Sequence, residues 1–286
     1  MNNLNSLIDS FEAIPQGKFK FLRGIGKDRM RRVLQYPTSP FKGEIVGKRV
    51  MSRSLVTIGE WRMVMVGKLS FSRMIFGLTK EMYRFFDIDP GTPFESMPAE
   101  MPFLLPETEM SVTEECLDLF FQKYRDFYSF PRSFGVRLPT ELEWERCLYS
   151  NVDDRSLYPW GDSLGVTGSA ECTGIGIPFS CQGSPSKVQS YCPIGIGRGW
   201  YDFLGLAYEL LLDRPIIDGK GLTDWSFYTN MGPNFCATGG GCYLIRGSSA
   251  PSAPDLFSRN RRLILNCLAG CTGFRVVIET DLQGAQ

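Results

Sequence analysis

Across residues 157–241 the chain carries almost no periodic hydrophobic signal and is rich in Gly, Pro and Ser, so nearly all of that length reads as loop. A compact domain seldom contains so long an irregular stretch, because every loop amide and carbonyl still needs a partner. Only a loop-built fold accommodates it. The 30 glycines and 18 prolines extend the argument to the whole chain, since frequent turns work against long helical bundles. Hydrophobic residues nonetheless make up 43% and aromatic residues 13%, which supplies a sizeable packed core and argues against disorder.

Regular elements stand out on either side. Residues 111–128 predict a helix: Ser111 and Glu114 have capping-box spacing, and Cys116, Leu119, Phe120, Lys123, Tyr124 and Phe127 recur at helical intervals. A second helix begins in RLPTELEWERCLYS, where Thr140 can accept from the N–H of position 143 while Glu143 reaches back. A shorter third follows Val56-Thr57. Strand signals fall at residues 18–22, 242–245 and 273–278. No internal repeat, low-complexity tract or linker divides the chain, so one domain over residues 1–286 is expected. The apolar runs at 63–78 and 98–106 read as core packing, or as a partner surface if exposed.

The side-chain inventory removes whole classes of chemistry. Basic and acidic residues balance at 31 each, so neither sign dominates to hold a nucleic acid or an anionic membrane. There is no histidine, which excludes Ser-His-Asp and Cys-His nucleophiles, a histidine base and histidine-ligated metals. The nine cysteines are scattered, form no CxxC pair and read as reduced, buried thiols. The N-terminus lacks the pattern of a signal peptide, and no apolar stretch is long enough to span a bilayer. A cytoplasmic protein is expected, or a phage-particle component if the gene is viral.

Several segments, in order, resemble the formylglycine-generating enzyme (sulfatase-modifying factor) family. Ile14-Pro15-Gln16-Gly17-Lys18-Phe19 looks like its IPGGxF strand, and Val56-Thr57 with Trp61 like its PVTNxxY helix start. Arg137-Leu138-Pro139-Thr140-Glu141-Leu142-Glu143-Trp144-Glu145 nearly repeats RLPTEAEWE, and Tyr158-Pro159-Trp160-Gly161-Asp162 looks like YPWGD. Val188-Gln189-Ser190-Tyr191 resembles VGSY, and Gly199-Trp200-Tyr201-Asp202-Phe203-Leu204-Gly205 resembles GLYDMxGN. Leu244-Ile245-Arg246-Gly247-Ser248-Ser249 resembles VxRGGSW, and Gly273-Phe274-Arg275-Val276-Val277 the closing GFRxV. The resemblance implies an α+β, C-type-lectin-like fold of small twisted sheets, two main helices and much loop. Within these motifs Thr140 and Glu143 are expected to cap, Leu142 and Trp144 to pack, and Arg137 to pair with a carboxylate. Arg246 and Arg275 read as cross-strand scaffold.

The departures bear on activity. The family's oxidase chemistry implies two copper-binding cysteines after RGGS, but their places fall at or near Ser252 and Phe257, which offer no thiolate. Cys267 and Cys271 lie further on. Copper is therefore not expected. The family's calcium-binding GNVWEW turn reads Gly205-Leu206-Ala207-Tyr208-Glu209-Leu210 here, so Glu209 alone remains as a weak candidate calcium ligand, or as a buried hydrogen-bonded carboxylate. Relatives that make sulfur-containing histidine derivatives carry an iron-binding helical domain with histidines, and this chain, having no histidine, is not expected to follow them.

The leading expectation is recognition without a catalytic residue. Relatives in diversity-generating retroelements display a hypervariable ligand-binding stretch between RGGSW and GFR, here residues 249–272. The candidate contacts are Ser249, Ser252, Asp255, Phe257, Arg259, Asn260, Arg262 and Asn266, facing a protein or other macromolecular ligand. Beside it stand a divergent enzyme using Glu209, Asp202, Tyr201 or a cysteine, and a docking subunit of a bacterial or phage assembly.

Overall fold

The computed structural model describes residues 9–21, 41–65, 89, 94–105, 110–150, 198–203, 206–213, 217–218, 221–222, 243–247, 263–265 and 272–280. They form a mixed α/β structure with three α-helices and small, mainly antiparallel sheets. In chain order the elements are β1 (Phe11–Ala13), β2 (Gly17–Phe21), β3 (Phe41–Ile45), β4 (Arg49–Ser52), α1 (Ile58–Met65), α2 (Met110–Phe127), β5 (Gly135–Arg137), α3 (Glu141–Leu148), β6 (Tyr208–Leu210), β7 (Ile217–Asp218), β8 (Gly221–Leu222), β9 (Tyr243–Gly247), β10 (Leu263–Leu265), β11 (Thr272–Gly273) and β12 (Val277–Glu279). Two four-stranded sheets have the orders β1-β4-β12-β5 and β10-β9-β6-β11, beside the two-stranded pairs β2-β3 and β7-β8. The only parallel pairing among them joins β6 and β11.

Local chemistry sets the helix starts. At α3, Thr140 sits at φ −74°, ψ 160°, accepts from the Glu143 N–H at 3.2 Å, and donates its own N–H to Glu143 at 2.8 Å. Both halves of the capping box are made, satisfying amides that the helix cannot. At α1 the Thr57 hydroxyl accepts from the Glu60 N–H at 3.1 Å, so the expected helix after Val56-Thr57 is present. The long helix begins at Met110, one residue before the expected Ser111 cap, which places Ser111 inside the first turn.

Strand length is where expectation and structure part. The segment 273–278 is not one strand. Pairing stops after Gly273 and resumes at Val277, and the three residues between enter the interior. Phe274 reaches the aromatic core, where its ring meets Trp61, Phe103, Phe120 and Phe121 edge-on. Trp61 in turn stacks on Phe103 at 3.8 Å and on Phe120 at 5.0 Å. One cluster thus joins α1, α2, the 101–105 segment and the C-terminal stretch. Phe103, Leu104 and Leu105 are fully buried, so this part of the 98–106 run is core and not partner surface. Residues 206–222 hold three short strands where loop was expected, while residues 151–197 lie outside the described residues.

A half-buried carboxylate sits at the α1–α2 contact. Tyr124 donates to Glu60 at 2.9 Å. Burial raises the Glu60 pKa, and the Tyr124 hydrogen bond only partly opposes it. The folded chain therefore holds that proton more tightly than the unfolded chain, and the associated stability is lost as pH rises through the folded value. Replacing Glu60 by Gln should raise the melting temperature at pH 7 by roughly 2–4 °C, about what 1 kcal/mol does in a protein of this size, with the gain vanishing near pH 4. Thermal melts across pH check this. Phe274→Ala should cost about 3–5 kcal/mol in denaturant unfolding, because a ring packed among four others leaves a cavity.

Candidate functional site

Strand β6 is the centre of the site. Tyr208 is paired with Gly247 at the end of β9 on one side and with Thr272 at the start of β11 on the other. The chain therefore leaves the sheet at Gly247 and returns at Thr272, two strand spacings or about 10 Å apart. Between them run residues 248–271, of which Leu263–Leu265 add β10 to the outer edge of β9. All eight candidate contacts, Ser249, Ser252, Asp255, Phe257, Arg259, Asn260, Arg262 and Asn266, lie outside the described residues, as do Cys267 and Cys271. What the structure describes is their mounting.

Each end of the mounting is held by a buried arginine. Arg246, 1% exposed at its side chain, meets Glu141 at 3.1 Å and Glu145 on the facing side of α3. Its guanidinium also lies 4.8 Å from the centre of the Trp144 ring. Arg275 donates from Nε and a terminal nitrogen to the two oxygens of Glu209, at 2.8 and 3.0 Å, a bidentate pair with no solvent exposure. It lies 4.1 Å from the Phe203 ring centre, and Phe203 meets Trp144 edge-on at 5.1 Å. The two arginines were expected as cross-strand scaffold. As scaffold they are centres of buried ion pairs, Arg246 reaching from β9 to α3 and Arg275 reaching β6 from the gap between β11 and β12. The signal for the Arg246 partners was present in TELEWE, since Glu141 and Glu145 are four apart and share a helix face.

Gly247 completes the exit. Its φ is +79°, and a Cβ there would stand 2.7 Å from the Phe203 carbonyl oxygen. Only glycine fits both demands. The facing loop is shaped to match: Asp202 takes a left-handed φ of 62°, which Asp tolerates better than most residues, and the Tyr201 N–H donates to the Arg53 carbonyl at 2.6 Å. Arg53 itself donates to the Gly199 carbonyl at 2.8 Å and to the Tyr201 hydroxyl at 3.3 Å.

A third ion-pair cluster secures α3 from below. Arg137 donates to both oxygens of Glu143 at 2.8 and 2.7 Å, as the sequence led one to expect, while Arg49 joins Glu143 at 3.1 Å and Glu279 at 2.7 Å. Burial works to raise the Glu143 pKa, but hydrogen bonding and charge from Arg137 outweigh it and hold the carboxyl below its ordinary value. Leu142 is half-buried and Trp144 fully buried, in keeping with packing roles.

The chemistry of these groups is that of a scaffold. Both oxygens of Glu209 are committed to Arg275, and Leu206, which stands where the family has Asn, is fully buried and has no side-chain oxygen. This donor set does not fit a calcium ion, which takes six to eight oxygens. Burial raises the Glu209 pKa, with the Arg275 charge opposing it. The described cysteines, Cys116 and Cys147, are buried; burial pushes the Cys116 thiol up to about 12 and Cys147 well above its usual range, so neither is a thiolate at neutral pH. No group of three or more Cys, Asp or Glu side chains is arranged to hold a metal among the described residues. None of the described helices is long and apolar enough to cross a membrane.

This architecture is a formylglycine-generating-enzyme-like fold, and the likeness carried by the motifs is matched in three dimensions. The chain superposes on PvdO from Pseudomonas aeruginosa with a TM-score of 0.54 at 15% identity, covering 94% of each chain. On CarF the TM-score is 0.52 at 16% identity, covering 95% of this chain and 99% of that one. On Treponema denticola variable protein 1 it is 0.58 at 14% identity, covering 94% of both. At such identities the likeness is one of fold. In sequence, the chain is 30% identical to hercynine oxygenase of Mycolicibacterium thermoresistibile over 125 residues, which are 43% of this chain and 26% of that protein's length. No family model matches.

The bidentate pair makes a quantitative prediction. Arg275→Met should destabilise by about 3–5 kcal/mol, because it strands a buried Glu209 charge, whereas the double variant Arg275→Met/Glu209→Leu should recover much of the loss. Urea unfolding of both variants checks it.

Proposed function

We propose that this chain is a non-catalytic binding scaffold of C-type-lectin-like character. Its recognition surface is the segment that carries Ser249, Ser252, Asp255, Phe257, Arg259, Asn260, Arg262 and Asn266, and its ligand is a protein or other macromolecule. The observation that carries this reading is the pairing of both ends of the segment with Tyr208, each end braced by a buried ion pair. A loop whose two ends are fixed on one strand can change its interior without disturbing the core beneath. The fold shared with Treponema denticola variable protein 1 supports the same reading, which is that of a diversity-generating retroelement display protein.

A second reading is a divergent oxidoreductase, favoured by the local identity with hercynine oxygenase. With no histidine in the chain, such an activity would have to use other groups. Glu209 is engaged with Arg275 and the two described thiols are protonated, so this reading needs a centre built from residues elsewhere.

Two experiments separate them. A library randomised at the eight contact positions should yield mostly folded members, melting within about 5 °C of the parent, as surface changes of about ±0.5 kcal/mol allow. Widespread loss of cooperative melting would remove the display reading. Purified protein incubated with copper(I) and a thiol peptide should show no peptide oxidation, and steady turnover there would favour the enzyme.

A further inference from the structure

A cavity of about 260 Å³ lies between one face of α2 and residues 136–138. At ~30 Å³ for each water-sized group it has room for roughly nine, less than a drug-sized ligand needs. Its floor is apolar, formed by Leu117 and Phe121 of α2 with Val136 and Leu138, all core residues. Leu212 stands on its wall with 42% of its surface exposed, and its N–H donates to the Pro139 carbonyl at 2.9 Å, which fixes it there.

Four charged side chains line the cavity, and they are not equivalent. Arg137 is already committed, since its terminal nitrogens donate to Glu143, Glu279 and the Leu138 carbonyl. Glu114, one turn before Asp118, is engaged as well. Asp118 and Arg125 are left. Among the described residues no ion pair or hydrogen bond occupies either head group or joins the two, and the Arg125 Nε is out of water without an acceptor. Exposed Gln122 lies between them on the same helical row. A carboxylate, an amide and a guanidinium thus follow one another along the cavity, beside an apolar floor.

We propose that this cavity binds a free α-amino acid with an apolar side chain. The side chain lies on the apolar floor, the ammonium meets Asp118 and the carboxylate meets Arg125. Leucine, with about nine non-hydrogen atoms, matches the volume. The spacing suits a zwitterion of this kind. Asp118 and Arg125 start about 10 Å apart along the helix axis, and the longer arginine side chain leans back toward the aspartate. An α-amino acid holds its two charged groups about 3 Å apart, so with a hydrogen bond of about 2.8 Å at each end it bridges roughly 8 Å. A simple carboxylate leaves Asp118 unanswered and a simple amine leaves Arg125 so, and each forgoes one of two charge-assisted bonds.

The test titrates the full chain with L-leucine, read by ligand-observed NMR, beside three analogues. L-leucinamide lacks the carboxylate, 4-methylpentanoate lacks the ammonium, and glycine lacks the side chain. Leucine should saturate the site below about 1 mM. Each analogue should bind at least about tenfold more weakly, as loss of one charge-assisted hydrogen bond or of the apolar contact implies. Arg125→Gln should remove the preference for leucine over leucinamide and keep that over 4-methylpentanoate, and Asp118→Asn should do the reverse. Asp118 is exposed, so its variant tests the site even where Arg125→Gln alters folding, which melting temperatures report. No saturable binding of leucine up to about 10 mM, equal affinity for leucine and either charged analogue, or preferences that survive both variants would overturn the proposal. None of these results alters the display reading, which is tested on residues 249–266.

Discussion

A guanidinium taken wholly out of water has five N–H groups to satisfy, and every one left unmet is costly. Arg275 meets this demand by drawing distant parts of the chain together. Nε and one terminal nitrogen donate to Glu209 on β6, and the same terminal nitrogen also reaches the Tyr201 carbonyl. The other terminal nitrogen donates to the Arg53 carbonyl at 2.9 Å and the Ser52 carbonyl at 3.4 Å. Four segments thus converge on one side chain: the C-terminal stretch, β6, the 198–203 loop and the end of β4. The first sheet meets the second at this point, and the aromatic core begins one residue away at Phe274.

That convergence explains what could be read in advance and what could not. The helix α3 was legible because its determinants, Pro139, Thr140 and Glu143, are contiguous and act on one another. α1 was legible from Val56-Thr57 for the same reason. Strands β1, β4, β5 and β6 were not, since each has only three or four residues and owes its existence to partners far along the chain; β4 is flanked by β1 and β12. Three residues cannot show an alternating pattern that distinguishes strand from loop. The 273–278 run misled in the opposite sense. Its β-branched and aromatic residues favour a strand, but Phe274 and Arg275 have interior partners that outweigh continued pairing.

The candidate site divides along the same line. Arg246, Gly247, Gly273 and Arg275 could be recognised through motif likeness, yet their roles could not. The text RG does not state that the arginine is clasped between Glu141 and Glu145, or that the glycine is required by a carbonyl 2.7 Å from where its Cβ would lie. Those are facts about α3 and the 198–203 loop. Spacing of four between the two glutamates was the one local hint.

The use of buried charge at both ends of the 248–271 segment has a physical rationale in register. Burying an ion pair yields little net stability compared with apolar packing of the same volume, so strength alone does not account for these arginines. Apolar contacts, however, are nondirectional, and a strand of two residues such as β11 has little to oppose a slip of one position, which would turn its side chains to the opposite face. A bidentate guanidinium–carboxylate pair is directional. With Arg275 fixed on Glu209, and Glu209 itself opposite Arg246 in the β6–β9 ladder, the return of the chain at Thr272 and its departure at Gly247 are referred to one residue. Directional pairing of this kind fixes the register of both ends independently of apolar packing, which is what the proposed binding face would require of its mounting.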